Sequence, residues 1–185
     1  MIEWLLNLLF RRYDIRNPEG GQKVLYLRRW FLWRSKRGNL YLHKILRSDS
    51  DRGAHDHPWA FTTFCLKGGY HDFVYSFDYS EPESMMISDP QGALVPASPC
   101  RQGKRHGPVN LPVRPWRLYR RKATHIHRVI LNVRPGANGS PSEPIPAWTL
   151  VWTSGKEKPW YFFSKTERIF WRDYLGDWNF NKEIE

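Results

Sequence analysis

The strongest constraint on this chain is its punctuation. Short apolar runs alternate with clusters of Gly, Pro, Asn and Ser, and none keeps a helical repeat for long. VLYLRRWFLW, NLYLHKILR, HPWAFTTFC, HIHRVILNV and AWTLVWTS are all of this kind. They are rich in β-branched and aromatic side chains, which suit a pleated, half-buried surface. Thirteen glycines and fourteen prolines in 185 residues supply the turns. About eight strands are expected in one all-β domain, as a sandwich, jelly roll or barrel with short N- and C-terminal helices.

Local patterns place the elements. Residues 1–16 predict an N-terminal helix with Trp4, Leu5, Leu8 and Leu9 on one face, capping the core; an interfacial membrane helix followed by Arg11 and Arg12 is the lesser reading. The strand core should span about 25–164. VLYLRRWFLW and NLYLHKILR read as a hairpin turning at Gly38, and the next two strands as joined through Lys67, Gly68 and Gly69. Residues 78–115, rich in Pro, Ser and Gly, read as a long insertion or lid with a short strand around GALVPA. WRLYRRK and HIHRVILNV read as a strand pair, and AWTLVWTS and PWYFFS as a hairpin across GKEK. Ile169, Phe170, Asp173 and Tyr174 stand at helical spacing, which predicts a helix over 166–177.

Charge and cysteines set the environment. The formal net charge of +11 favours acidic partners: polyanions, anionic membranes or acidic substrates. Cys65 and Cys100 form no zinc or disulfide pattern. The opening MIEWLLNLLFRR has no basic leader region or cleavage site and is too short to span a bilayer, so a cytoplasmic protein is expected.

Four of the seven histidines carry the chemical signal. His55 and His57 stand two apart in AHDHPWAF, and His125 and His127 repeat the spacing in THIHRVIL. Residues i and i+2 of a strand point the same way, so each pair aims two imidazoles at one place. At this composition two such pairs arise by chance only about three times in a hundred. Imidazole suits a divalent transition metal: Fe(II), Zn, Ni or Cu. On spacing alone all four histidines are candidate ligands. His125 reads two ways, as a fourth ligand on the same strand face or as a turn residue behind the ligands if the strand begins at Ile126. Tyr41, His43, Phe61, Thr63 and Cys65 are candidate pocket-lining residues, with Arg47 as a candidate anchor for a carboxylate. His71 and His106 read as surface residues.

These motifs resemble the cupin superfamily, whose first motif is His-x-His, then a Glu, then a Gly, and whose second motif carries a further histidine. His55 and His57 match the first pair, Gly68 or Gly69 the glycine, and His127 the second-motif histidine. The Glu position falls on Phe61 or Thr62, and the leading Gly of the first motif and the Pro-x-Gly of the second are missing. HDHPW, LKGGY, RRKATHIHR and WTLVWTSGKEKPW further resemble a group of small bacterial and phage cupins, over residues 25–175. The resemblance implies a cupin double-stranded β-helix with a three-histidine metal site, the ligand set of the thiol dioxygenases. The expected function is then a non-heme Fe(II) oxygenase acting on a small molecule. Two alternatives stand beside it. One is a non-catalytic metal- or ligand-binding cupin whose basic, aromatic-laced strands bind nucleic acid. The other is a metal-free sugar epimerase or isomerase using Asp56 beside His55. A homodimer is compatible with either form.

Overall fold

Period-two burial is clearest over Ala147–Thr153, where Ala147, Thr149, Val151 and Thr153 are buried and Trp148, Leu150 and Trp152 face outward. β5 follows the same logic, with Thr63 and Cys65 turned to a shared interior. The computed structural model describes residues 2–19, 22–49, 53–79, 86–88, 94–96, 101–136, 140–171 and 173. Helix α1 (Ile2–Leu9) is followed by β1 (Arg12–Glu19), β2 (Gln22–Ser35), β3 (Gly38–Ile45), β4 (Ala54–His55), β5 (Phe61–Lys67) and β6 (Tyr70–Tyr79). Then come β7 (Met86–Ser88), β8 (Leu94–Pro96), β9 (Arg101–Val113), β10 (Leu118–Arg121) and β11 (Ile126–Leu131). The chain ends through β12 (Val133–Arg134), β13 (Glu143–Pro144), β14 (Ala147–Thr153), β15 (Tyr161–Phe163) and β16 (Glu167–Phe170).

One sheet has the order β1-β2-β3-β14-β5-β10. The second set, β11-β4-β15-β16-β9-β6, closes on itself as β6 bonds back to β11. The chain is therefore all-β, with two curled antiparallel sheets around a common interior, the jelly-roll type of barrel that the cupin resemblance implies. Two apolar clusters fill it. Tyr26, Leu27, Ile45, Cys65, Tyr70, Val113, Val129, Leu131 and Ala147 form the larger. Ala54, Phe77, Ile126 and Phe163 form the smaller.

Several local expectations are corrected. The N-terminal helix stops at Leu9, and 12–19 instead form β1, which satisfies the backbone groups along the edge of β2. The helix does not cap the core with its apolar face. Glu3 pairs with Arg28 at 2.5 Å and with Lys44, and Asn7 Oδ1 accepts the Trp30 indole N–H at 2.8 Å. Those polar anchors lie on one side of a helix, so Trp4 (69% exposed) and Leu8 (68%) on the other side face solvent. No helix among the described residues is long and apolar enough to cross a membrane.

The stretch 78–115 is not one long irregular insertion. Its strand around GALVPA exists, as β8 paired with β7, but residues 101–113 form β9, a full partner of β6. The register of β6 against β9 shifts between Val74 and Ser76, beside Gly107 and Pro108, so the proline falls at an irregularity rather than in an unbroken ladder. WRLYRRK and HIHRVILNV do not pair: β10 joins β5, and β11 joins β4 and β6. AWTLVWTS and PWYFFS do not form a hairpin either. Both edges of β14 are taken by β3 and β5, so β15 crosses to the other sheet. At the C-terminus, 167–170 form β16 rather than a helix, and the rest of that expected helix lies mostly outside the described residues.

The glycines that carry the chain from β5 across to β6 in the other sheet are required by backbone geometry. Gly68 has φ +85° and Gly69 φ +76°, and a Cβ on Gly68 would stand 2.3 Å from the Pro146 carbonyl oxygen. Gly68→Ala is expected to cost about 1–3 kcal/mol, read as a lower midpoint in thermal or urea unfolding. An unchanged midpoint would contradict this packing of β5 and β6 on the 146–147 backbone.

Candidate metal centre

The HDH segment is set by a strand of only two residues. His55 is the last residue of β4, flanked in register by His127 of β11 and by Phe162 of β15. Asp56 then leaves the ladder and engages Tyr161 and Lys158 while staying buried. Its carboxylate accepts the Tyr161 N–H at 2.9 Å and the Lys158 ammonium at 2.5 Å, while its own N–H donates to the Tyr161 carbonyl at 3.1 Å. The His57 N–H donates to the Ala123 carbonyl at 3.3 Å. With Asp56 held away, His55 and His57 both face the interior. The expectation that His55 and His57 sit together on one strand is thus corrected: β4 ends at His55 and β5 begins only at Phe61, so His57 lies between strands.

His55, His57 and His127 close a nearly equilateral triangle. Ring centroids are 5.3 Å apart for His55–His57, 5.1 Å for His55–His127 and 5.1 Å for His57–His127. One ring nitrogen from each lies within 4.8 Å of the others. Nε2 of His57 and Nε2 of His127 are 2.9 Å apart. Apolar rings wall the triangle: Phe162 is 5.4 Å from His55, and Phe61 is 4.8 Å from His57. Phe61, one of the two residues at the motif's Glu position, thus brings a ring rather than a carboxylate.

Behind His127 stands a residue that the sequence reading missed. Asp72, on the inward face of β6, is 2% exposed. The His127 Nδ1–H donates to Asp72 Oδ1 at 2.5 Å, while Oδ2 accepts from His125 Nε2 at 3.0 Å and Arg121 Nε at 3.1 Å. This selects the tautomer of His127 and leaves Nε2 directed at the triangle, the role a carboxylate plays behind a metal-bound histidine. The signal was an acid on the inward face of an apolar strand, between Tyr70 and Val74, where an unpaired carboxylate would be costly.

The electrostatics follow from these contacts. Burial pushes the His57 imidazole well below its usual pKa, helped by the neighbouring histidines and Arg29, so it is a neutral donor at pH 7. Burial also acts against charge on His127, but the Asp72 carboxylate outweighs it and holds His127 above its ordinary value. Burial opposes ionisation of Asp72, yet His127 and His125 prevail and keep it well below the usual carboxylate range. The chemistry of the donor set fits a divalent cation: three imidazole nitrogens converge, one braced by a carboxylate, within apolar walls.

The other candidates divide. His125 precedes β11, in the turn, and hydrogen-bonds Asp72; the cluster of Asp72, His125 and His127 is also tight, but its atoms already pair with one another. Tyr41 and His43 line the inward face of β3, stacked at 5.6 Å, and Thr63 is buried across the same sheet. Cys65 packs in the larger apolar cluster, and Cys100 lies outside the described residues. Arg47 lies past the end of β3 and is exposed; the arginine that enters this wall is Arg29, which the sequence reading passed over. His71 bonds Asn110, and His106 pairs with Asp78 near the surface.

No family model matches the chain, and no curated protein matches it. Among solved structures, the chain is similar to Fe(II) HppE (TM-score 0.43, 11% identity, 77% of this chain and 56% of that one). It is also similar to the DMSP lyase DddQ from Ruegeria pomeroyi DSS-3 (TM-score 0.38, 14% identity, 84% and 52%). A form of Fe(II)-HppE with the alternative substrate (S)-1-HPP gives a TM-score of 0.42 at 12% identity, covering 78% and 56%. The chain spans about half the length of each.

Proposed function

We propose that the protein is a metal-binding cupin that holds a divalent metal on His55, His57 and His127, with Fe(II) preferred, and that it oxidises a small molecule with dioxygen. The observation that carries this reading is the convergence of three imidazoles with no carboxylate among them, braced by Asp72. Bound ferrous iron would supply dioxygen activation beside a coordinated substrate. The chain's own residues supply the rest. Asp72 keeps the proton on Nδ1 of His127, so that Nε2 stays a donor. Phe61 and Phe162 exclude water on two sides. The same nitrogens also suit Zn, Ni or Cu.

The metal-free epimerase loses its support, because Asp56 is tied to Lys158 and Tyr161 and does not pair with His55. Protein purified without a histidine tag should carry on the order of one metal ion per chain by elemental mass spectrometry. The iron-loaded form should consume dioxygen with a member of a panel containing cysteine, 3-mercaptopropionate and diketones. Metal without dioxygen uptake would leave the non-catalytic binding cupin. Absence of stoichiometric metal would end both metal-bound versions and leave only a cupin that binds its ligand without metal.

A further inference from the structure

The inward face of the first sheet carries a charge that no described residue balances. Arg29 of β2 lies opposite His43 of β3, and its Nε donates to His43 Nε2 at 2.9 Å. Its guanidinium carbon sits 4.7 Å over the Tyr41 ring. Among the described residues no carboxylate pairs with it. Both direct neighbours are uncharged in its presence: burial, and then Arg29 itself, push His43 well below its usual pKa, and burial pushes the Tyr41 phenol up. A guanidinium in such a place is costly unless something pairs with it. The contrast with Arg121 is direct, since that inward arginine has Asp72 at 3.1 Å.

Arg29 is also placed to serve the histidine triangle. Arg29, His43, Thr149 and Cys65 form one row across four strands, and Phe31, Tyr41, Val151 and Thr63 form the next. The adjacent row on β14 and β5 pairs Thr153 with Phe61, whose ring rests on His57. Arg29, Phe31, Phe61 and His57 each keep part of their surface open to solvent. A small molecule entering along this strip would meet the metal ligands at one end and a guanidinium at the other. Arg29 still has its two terminal NH2 groups to offer, in the fork geometry that matches a carboxylate or phosphate-type oxyanion.

We propose that the ligand of this barrel is a small acid, and that its carboxylate, phosphate or phosphonate group docks on Arg29 while the rest of the molecule reaches towards the three histidines. The proposal rests on the reading of the histidines as the reactive end of the pocket, and it names the substrate class. The anion need only offer two oxygens in one plane.

The test is binding of glutarate, methylphosphonate and the neutral glutaramide, followed by calorimetry on the whole protein, with bound metal measured on the same samples. The wild-type protein should bind at least one of the two anions and discriminate against glutaramide. Arg29→Gln should weaken that binding by roughly ten- to a hundredfold, the loss expected for a charge-assisted pair, while metal content stays at the wild-type level. Arg29→Lys keeps the charge and loses the fork, so it should fold as the wild type and bind the anion several-fold more weakly. Glutaramide binding as tightly as glutarate, no anion binding by the wild type, or undiminished anion binding in both variants would each overturn the proposal. The two readings fail separately. Arg29-dependent anion binding in a protein that holds no metal would remove the metal centre and keep the anion site. Full metal content with binding indifferent to Arg29 would do the reverse.

Discussion

His127→Ala is expected to strip the protein of bound metal, lowering affinity by more than about a hundredfold, a larger loss than removal of a partner behind a ligand normally causes. Three properties meet in His127. It completes the triangle with His55 and His57, it is 5% exposed, and it alone of the three rings is held by Asp72. Alanine would also leave Asp72 buried with only His125 and Arg121 to oppose its charge. Stability should therefore fall too, and metal must be measured on the folded fraction after gel filtration. His57→Ala should lower metal content similarly with a smaller loss of stability, because no carboxylate depends on it. His106→Ala, a surface change beside Asp78, serves as the control with unchanged metal. Wild-type metal content in folded His127→Ala would remove the triangle as the metal centre.

Asp72→Asn carries the second large effect. The substitution keeps shape but removes the charge that faces His127, His125 and Arg121 together. Metal affinity should fall by about ten- to a hundredfold. Folding stability at neutral pH should fall by about 3–5 kcal/mol, the usual consequence of removing one member of a buried charged group. The pH dependence has a definite sign. The folded protein holds the Asp72 carboxyl below its ordinary range, so its contribution is complete above about pH 4 and is lost as pH falls through the lower, folded value. The stability gap between wild type and Asp72→Asn, taken from urea midpoints, should therefore be wide at pH 7 and narrow in acid. An equal gap at both pH values would mean that Asp72 does not act through its charge.

Much of this molecule was legible without coordinates. The alternation in AWTLVWTS and HIHRVILNV states which residues face inward, because side chains on a strand alternate whatever the strand pairs with. The breaker at Gly38 marks a real hairpin, and Gly68–Gly69 mark a real turn, though one that carries the chain from β5 in the first sheet to β6 in the second. The two His-x-His pairs pointed at the place where three rings meet. The reading failed wherever sequence neighbours were assumed to be sheet neighbours. β14 lies between β3 and β5, and β10 and β11 belong to different sheets. It failed also for α1, where polar anchors to Arg28, Lys44 and Trp30 outweigh the pull of the apolar side.

What the sequence determined by itself, then, was strand character, turn positions and the identity of the convergent histidines, since backbone sterics and side-chain periodicity act over a few residues. Tertiary structure alone decided the company those histidines keep. Asp72 reaches His127 only because β6 pairs with β11, and Arg29 meets His43 only because β2 pairs with β3 in that register. Pairing is set by the sum of ladder hydrogen bonds and buried faces across the whole barrel, a quantity that no short window of the chain contains.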